Sequence, residues 1–460
     1  MINQYNRANN PQLLAKMQTE RMIQRTMNKM KIELAYGKNG LVVELPEENL
    51  TVIEPRFMAG VPDEKAALLA AMRNPVASPP LRELVGPHTT IVIVFCDITR
   101  PMPNNRVLPV LLEEIEATGA KRSNITLINA TGTHRPNSQA ELAEMLGTDI
   151  AENYRVINHN GHDRGTLTHL GLSSFGAEAW IATEYLKADV KILTGFIEPH
   201  FFAGFSGGPK MVCPGVAGLQ TVMHAHGATM VGSPKATWGI TYGNPIHDEI
   251  REIAAMAGSD FSINVTLNKE HAITNVFAGD VWESHKLGCE FVRETAMRAV
   301  PAAFDIVITT NSGYPLDQNL YQAVKGMTAA ALVVKPGGAI IAASECRDGI
   351  PEHGNFKDIL KMRPDPKSLL ELINSPGFEM FDQWEAQMQA QVQLKARVFV
   401  KSDFLSDQQI RDAMLEPCHD IAETVEMLKG IYGPDATVCV LPQGPQTVPY
   451  IAEIREPALV

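Results

Sequence analysis

The sequence lacks several features that mark common classes of protein. No apolar run reaches the ~20 residues of a membrane-spanning helix, and the N-terminus has no apolar signal-peptide core. The six cysteines, from Cys96 to Cys439, lie far apart and include no C-x-x-C pair, so no disulfide framework is indicated. We therefore expect a cytoplasmic globular protein with reduced thiols and no membrane partner.

Two nucleotide-binding signatures are also missing. There is no G-x-G-x-x-G string, so an ordinary dinucleotide-binding half is not supported. A glycine-rich stretch ends in Lys210, but Pro209 precedes this lysine and Met211 follows it, which departs from the P-loop pattern.

Basic residues are in deficit: 40 Lys and Arg against 52 Asp and Glu give a net charge of −12, which disfavours nucleic acid as a partner.

Length predicts more than one domain, because 460 residues exceed one ordinary hydrophobic core. We expect an N-terminal extension over 1–30, an N-terminal domain over 31–298 that binds cofactor and carries catalysis, and a C-terminal domain over 299–460. About the last twenty residues could pack back on the first domain. The sequence does not indicate an oligomeric state.

Apolar runs and helical periodicity alternate along the chain. Asn105–Glu116 has apolar residues at helical spacing, as has the segment 321–334, and 31–36 with 40–44 form a strand-like pair. The predicted buried strands are 89–97, 124–130, 189–194, 305–310, 338–344 and 436–441. This alternation predicts an α/β protein of two domains, with largely parallel sheets flanked by helices and the active site in the cleft between them.

One loop, residues 199–218, organises the candidate site. It contains five glycines and three prolines in twenty residues, so it cannot form a regular helix or strand. Glycine is needed where the backbone comes close to another group. The loop therefore predicts that His200 and Lys210 lie close to a ligand other than a P-loop nucleotide, although a surface loop with incidental His and Lys is the simpler alternative.

Polar side chains follow the predicted strands at their carboxyl ends, where open α/β sheets bind ligands. His134 and His200 could flank a substrate as acid and base, although a lone histidine is more often structural. Arg100 and Lys325 are cations suited to a carboxylate. His224-x-His226 is a weak metal signal, and Trp384 could wall a pocket or fill the core.

Five longer strings resemble the nickel-dependent lactate racemases, with motif order and spacing intact from about residue 31 to 450. They are DITRP at 97–101, ATGTHR at 130–135, PHFFAGFSGGPK at 199–210, MHAHG at 223–227 and YPLDQNLYQAVKG at 314–326. The resemblance implies a nickel-pincer nucleotide, pyridinium-3,5-bisthiocarboxylic acid mononucleotide nickel, made by dedicated cofactor-synthesis enzymes. It also implies that Lys210 can be joined covalently to this cofactor and that His226 is the nickel ligand.

The same resemblance implies the remaining roles. His134 and His200 match the catalytic histidines, and Asp97 matches a position near the ribose or phosphate of the cofactor. The residues that match substrate contacts are Arg100, Tyr321, Gln322, Lys325 and Trp384. The implied reaction is racemisation of a 2-hydroxy acid through a 2-keto acid, by reversible hydride transfer to the pyridinium cofactor.

Chemistry agrees with the implied reaction, because the hydrogen on C2 of a 2-hydroxy acid is too weakly acidic for a histidine to remove it as a proton. Alternatives stay open. The substrate could be lactate, malate, an aromatic hydroxy acid or an aldonic acid epimerised at C2. From another class, the chain could be a non-catalytic cofactor carrier, for which Lys210 and His226 alone would suffice.

Overall fold

The structure is a computed structural model that describes residues 28–352 and 354–452. The chain divides into two compact units. The larger unit comprises Pro55–Arg298 and Leu370–Gln387. Within the described residues, the smaller unit comprises 28–54, Ala299–Leu369 and 388–452.

The strands and helices are numbered separately along the described residues. The strands are β1 Lys29–Leu34, β2 Leu41–Pro46, β3 Leu50–Val52, β4 Ile91–Cys96, β5 Ile125–Ala130, β6 Arg155–Asn158, β7 Leu167–Leu172, β8 Glu178–Ala182, β9 Val190–Phe196, β10 Pro199–His200, β11 Gly204–Phe205, β12 Phe261–Leu267, β13 Ile273–Gly279, β14 Met297–Val300, β15 Phe304–Thr310, β16 Val334–Ala343, β17 Arg397–Lys401, β18 Glu416–Pro417, β19 Val438–Leu441 and β20 Val448–Ile451. The α-helices are α1 Glu64–Arg73, α2 Leu81–Leu84, α3 Asn104–Glu116, α4 Gln139–Leu146, α5 Thr148–Asn153, α6 Thr183–Leu186, α7 Leu219–Ala225, α8 Ala228–Val231, α9 Pro245–Ala257, α10 Val281–Ala296, α11 Leu320–Ala331, α12 Phe356–Lys361, α13 Pro366–Ile373, α14 Gln383–Lys395, α15 Asp407–Asp412 and α16 Ile421–Tyr432. Short 3₁₀ turns lie at Arg122–Asn124, Arg164–Thr166, Gly208–Met211 and Gly444–Gln446.

The main sheet of the larger unit has the strand order β13-β12-β9-β4-β5-β6. All neighbouring pairs are parallel except β12 with β13. Every residue of β4 is buried, as expected for a strand covered on both faces. Burial of the whole strand explains its uninterrupted apolar sequence, and it confirms the predicted α/β class with one antiparallel edge added.

The main sheet of the smaller unit has the order β18-β17-β16-β15-β19-β3, and every neighbouring pair in it is parallel. Helix α11 begins at the cap Asn319, whose side chain accepts the N–H of Gln322. Because α11 follows β15, its first turn lies just beyond the carboxyl end of that strand.

The division between the units differs from the sequence-based boundaries. Residues 31–54 were expected in the N-terminal domain, but β3 pairs with β19 of the smaller unit. The apolar face of the β1–β2 hairpin, including Ile32 and Leu34, is buried in the same core as Ile308 and Ile341. Sequence order could not reveal this placement, because the pairing joins positions almost 400 residues apart.

The two ends of the chain are described only in part. The predicted extension over 1–30 lies outside the described residues except for 28–30, where β1 begins. Near the other end, 441–452 belong to the smaller unit, and the rest of the predicted returning segment lies outside the described residues. Within 28–352 and 354–452, no helix is both long enough and apolar enough to cross a membrane.

Candidate active site

Three neighbouring strands of the larger unit end at the same edge of the sheet. β4 lies between β9 and β5 and is parallel to both. Asp97 and Arg100 follow β4, His134 follows β5, and His200 follows β9. Parallel pairing thus brings these predicted residues to the carboxyl edge, where α/β sheets bind ligands.

Asp97 and His134 form a hydrogen-bonded pair. Oδ2 of Asp97 lies 2.8 Å from Nδ1 of His134, and Oδ1 accepts the hydroxyl of Thr99 at 2.8 Å. Burial raises the pKa of Asp97, but the hydrogen bond and charge of His134, with Arg100 and Thr99, lower it below its ordinary value. An ionised carboxylate can only accept, so Nδ1 of His134 donates, and in the neutral ring Nε2 is the acceptor.

This pairing gives Asp97 a contact that sequence comparison did not indicate. The resemblance placed Asp97 near the cofactor's ribose or phosphate, yet both of its oxygens are bonded to protein groups. Asp97 is 3% exposed, so the carboxylate that orients the His134 imidazole is buried. The spacing to His134 is 37 residues, and no local pattern links the two positions.

The glycine-rich loop turns back on itself directly after β9. Strand β10 pairs with β11 in a short antiparallel ribbon that brings His200 opposite Gly204. Gly204 has φ +79°, and a Cβ there would lie 2.1 Å from the carbonyl oxygen of Ile240. Only glycine allows this approach. Within the ribbon the N–H of Ala203 donates to Nδ1 of His200 at 3.2 Å, so the neutral His200 ring carries its hydrogen on Nε2.

Aromatic rings connect His200 to the predicted metal ligand. The ring of Phe202 lies 4.6 Å from His200 and 5.1 Å from His226, and His226 lies 5.0 Å from Trp384. Nζ of Lys210 lies 5.8 Å from the Phe202 ring centre. The larger unit therefore brings together His200, Lys210, His226 and Trp384, which are distant in sequence. Sequence reasoning did not single out Phe202, although it stands inside the conspicuous PHFF string.

His226, the predicted metal ligand, has the neutral ring that such a role requires. Its Nδ1 donates to the carbonyl of Val222 at 2.8 Å, which leaves the lone pair on Nε2. Burial and the charge of Lys210 lower the pKa of His226 to about 4, so the ring is neutral at pH 7. Among residues 28–352 and 354–452, no group of three or more His, Cys, Asp or Glu side chains could hold a metal ion.

His224 has a different hydrogen-bond partner from His226. Its Nδ1 lies 2.8 Å from the carboxylate of Glu249, which is completely buried, and this pairing raises the pKa of His224. His224 is therefore paired with a carboxylate, whereas His226 is hydrogen-bonded to a backbone carbonyl. Glu249 was missed from sequence, although it lies on the apolar face of α9, three residues after Ile246 and four before Ile253. A carboxylate on an apolar helix face is the signal that could have identified it.

The remaining predicted residues belong to the smaller unit. Nζ of Lys325 donates to Oε1 of Gln322 at 2.7 Å, one turn apart on α11. The Tyr321 ring packs edge-on against Phe356 at 5.4 Å. Helix α11 thus groups the three predicted substrate contacts at its start, and their roles stay predictions.

Family models match most of the chain. The model described as the lactate racemase N-terminal domain matches residues 36–239, and the one described as the lactate racemase C-terminal domain matches residues 299–448. A lactate racemase from Thermoanaerobacterium thermosaccharolyticum is 37% identical over 420 residues, which are 90% of this chain and 97% of that protein. A lactate racemase from Lactiplantibacillus plantarum is 37% identical over 419 residues, which are 90% of this chain and 98% of that protein.

Solved structures agree with these matches. The lactate racemase apoprotein from T. thermosaccharolyticum, 36% identical, aligns with a TM-score of 0.86 over 93% of this chain and 100% of that one. A Thermotoga maritima protein, 18% identical, aligns with a TM-score of 0.65 over 86% of this chain and 100% of that one, which supports the fold alone. The resemblance inferred from the motifs is confirmed. The chain belongs to the lactate racemase family.

Proposed function

We propose that the protein racemises a 2-hydroxy acid, with lactate as the first candidate substrate. The observation that carries the proposal is the hydrogen bond from His134 to the buried carboxylate of Asp97, at the strand edge that also carries His200. Family membership supports the same activity, since its named relatives are lactate racemases. A cofactor carrier would have no need for an imidazole oriented in this way.

The two histidines are suited to opposite proton transfers. Nε2 of His134 is an acceptor because Nδ1 donates to Asp97, whereas Nε2 of His200 is a donor because Nδ1 accepts from Ala203. We propose that one takes the proton from the substrate hydroxyl while C2 becomes planar, and that the other protonates the oxygen as the opposite enantiomer forms. Each histidine then serves as base for one enantiomer and as acid for the other.

The cations Arg100 and Lys325 are proposed to hold the substrate carboxylate throughout the reaction. Arg100 lies beside Asp97, where its backbone N–H donates to the Asp97 carbonyl at 3.1 Å. On α11, Gln322 and Lys325 are already oriented by their mutual hydrogen bond. A carboxylate bound in this way keeps the planar 2-keto acid from leaving before inversion is complete. Tyr321 and Trp384 are proposed as further substrate contacts.

The chain's residues fit a nickel-pincer nucleotide as cofactor. His226 is neutral and has an available Nε2 lone pair, and the described residues provide no complete metal site, so a cofactor that brings its own donor atoms suits it. We propose that Lys210, whose Nζ lies 5.8 Å from the Phe202 ring centre, is the point of covalent attachment. When bound, this cofactor would supply the acceptor for the C2 hydrogen as hydride.

Maturation and location follow as further parts of the proposal. Lys210 and His226 cannot assemble such a cofactor, so we propose that cofactor-synthesis enzymes are partners of this chain. All six cysteines are buried free thiols, which agrees with a cytoplasmic location.

Isotope labelling tests the proposed reaction. Protein co-expressed with the cofactor-synthesis enzymes is incubated with lactate carrying ²H at C2, and the enantiomers are separated on a chiral column. We expect the product to keep its label, because hydride transfer does not exchange with water, whereas proton removal by histidine would. Complete washout of label into solvent would contradict the proposal.

A parallel screen identifies the substrate. D and L forms of lactate, malate, an aromatic hydroxy acid and an aldonic acid are compared for interconversion, with His134→Ala as the inactive control. Failure of every pair with fully loaded protein would favour the carrier alternative.

A further inference from the structure

The larger unit contains a pocket that none of the predicted site residues lines. Helices α9 and α10 and the segment 239–242 form its wall. Six charged or imidazole side chains contribute to this wall: His247, Arg251, His285, Lys286, Glu290 and Arg293. All of them except Glu290 carry nitrogen groups that can donate hydrogen bonds.

Two of these residues, His247 and Arg251, have buried nitrogen atoms without a hydrogen-bond partner among the described residues. His247 is 1% exposed, and neither of its ring nitrogens has a hydrogen-bond partner among the described residues. The buried Nη1 of Arg251 likewise has none within that part of the chain. Buried polar groups are nearly always satisfied, so an unpaired imidazole beside an unpaired guanidinium nitrogen indicates a missing ligand.

The charge of the wall favours an anion. Arg251, Lys286 and Arg293 contribute three positive charges, against the carboxylate of Glu290. Asp248 pairs with Arg251 through the other guanidinium nitrogen, Nη2, so with Glu290 two carboxylates face three cations and one positive charge remains in excess. Nη1 of Arg251 keeps its hydrogens available. Burial lowers the pKa of His247 and, to about 4, that of His285, so these rings are neutral hydrogen-bonding groups.

We propose that this pocket binds a small oxyanion of the phosphate class. The N–H of His247 and Nη1 of Arg251 would donate to its oxygens, and Lys286 and Arg293 would offset its charge. Tyr242 covers the Arg251 guanidinium at 3.8 Å and is 48% exposed, so it forms the solvent-facing side of the pocket.

The bound anion would support the loop that carries Lys210. Nε2 of His285 donates to the carbonyl of Ser206 at 2.8 Å, and a Cβ on Gly208 would lie 2.5 Å from the His285 ring. The pocket wall and the loop are therefore in direct contact. An anion that restrains this wall would restrain residues 206–208 through these contacts with His285.

Calorimetric titration with inorganic phosphate tests the site at constant ionic strength, with chloride as the reference anion. We expect saturable binding of one phosphate per chain and weaker binding by Arg251→Gln of at least about tenfold, equivalent to about 1.4 kcal/mol. Lys286→Gln is the second variant, because Lys286 is only partly buried and its loss should leave the fold intact. Lys187→Gln is the matched control, since Lys187 is 66% exposed and lies outside the pocket wall.

A structural readout accompanies the titration. Phosphate should slow hydrogen exchange of the amides at 204–211 in the wild-type protein and in Lys187→Gln, but less in Lys286→Gln. Phosphate binding no tighter than chloride, or equal phosphate affinity in wild type and a folded Lys286→Gln variant, would overturn the proposal.

Nicotinamide mononucleotide distinguishes the two sources of a phosphate group. If the pocket takes a nucleotide's phosphate, the mononucleotide binds more tightly than inorganic phosphate, and phosphate displaces it. If the pocket takes free phosphate, the mononucleotide does not compete. Either result supports the site, provided that Arg251→Gln weakens whichever ligand binds.

Discussion

The variant Asp97→Asn tests the arrangement of the candidate site most directly. Asparagine keeps the size of the side chain but removes its charge, and an amide group that donates to Nδ1 of His134 forces the ring hydrogen onto Nε2. His134 would then face the substrate as a donor instead of an acceptor. Both directions of racemisation should suffer, because inversion needs each histidine in turn.

The structure sets the expected size of this effect. Loss of a hydrogen bond to a charged group costs about 1.5–3 kcal/mol, or roughly 10- to 100-fold in rate. A wrong tautomer adds to this loss, and in a Ser–His–Asp triad the same substitution lowers kcat by about 10⁴. The His134 side chain is 44% exposed, so water screens part of the interaction. We expect kcat to fall by about 10²–10³.

The assay measures initial rates from both enantiomers on a chiral column, with nickel content and melting temperature matched between variants. Thr99→Val is the control, because it removes the other hydrogen bond on the same carboxylate and leaves the His134 contact in place. Its rate should fall by less than about tenfold. A folded, nickel-loaded Asp97→Asn enzyme with nearly wild-type rates would refute the positioning role of Asp97.

Three further predictions concern the cofactor, the loop and the stability of the larger unit. In protein made with the cofactor-synthesis enzymes, elemental analysis should show that His226→Ala lacks nickel, and mass spectrometry should show that Lys210→Ala lacks the covalent adduct. A full adduct on Lys210→Ala would exclude attachment at this lysine. Gly204→Ala should lower thermal stability far more than Gly147→Ala, because both have positive φ but only Gly204 has a carbonyl oxygen 2.1 Å from the new Cβ. At Gly147, with φ 83° and ψ 149°, the substitution should cost about 1–3 kcal/mol, and equal losses at the two positions would contradict the clash. Glu114→Gln should destabilise by about 1–2 kcal/mol, because this 2% exposed carboxylate is bonded to two half-exposed arginines. Hydrogen bonding to these arginines lowers the pKa of Glu114 below its ordinary 4.5, so its contribution to stability is present above pH 4.5 and is lost as pH falls through the lowered pKa. Denaturant titrations at pH 7 and below pH 4 should show the difference in unfolding free energy between wild type and Glu114→Gln shrink at the lower pH. A constant difference would contradict the ion pair.

Much of the fold could be predicted from sequence because its signals are local. The apolar run predicted over 89–97 is β4, Ile91–Cys96, and the helix predicted over Asn105–Glu116 is α3, Asn104–Glu116. Continuous burial of a central parallel strand requires an uninterrupted apolar sequence, and helix burial requires apolar residues three and four apart. The long motif strings likewise identified the family, which both family models confirm.

Only the tertiary structure decided which side chains meet. The partners Asp97 with His134, and His224 with Glu249, are separated by 37 and 25 residues, and each contact depends on how strands and helices pack. The same holds for the placement of residues 31–54, since β3 pairs with a strand near the other end of the chain. Local sequence determines which element a segment forms, because backbone and burial preferences repeat within a few residues. Pairing between elements depends on long-range packing, which a single sequence does not record, so the contacts that orient His134 and support the Lys210 loop are visible only in the folded chain.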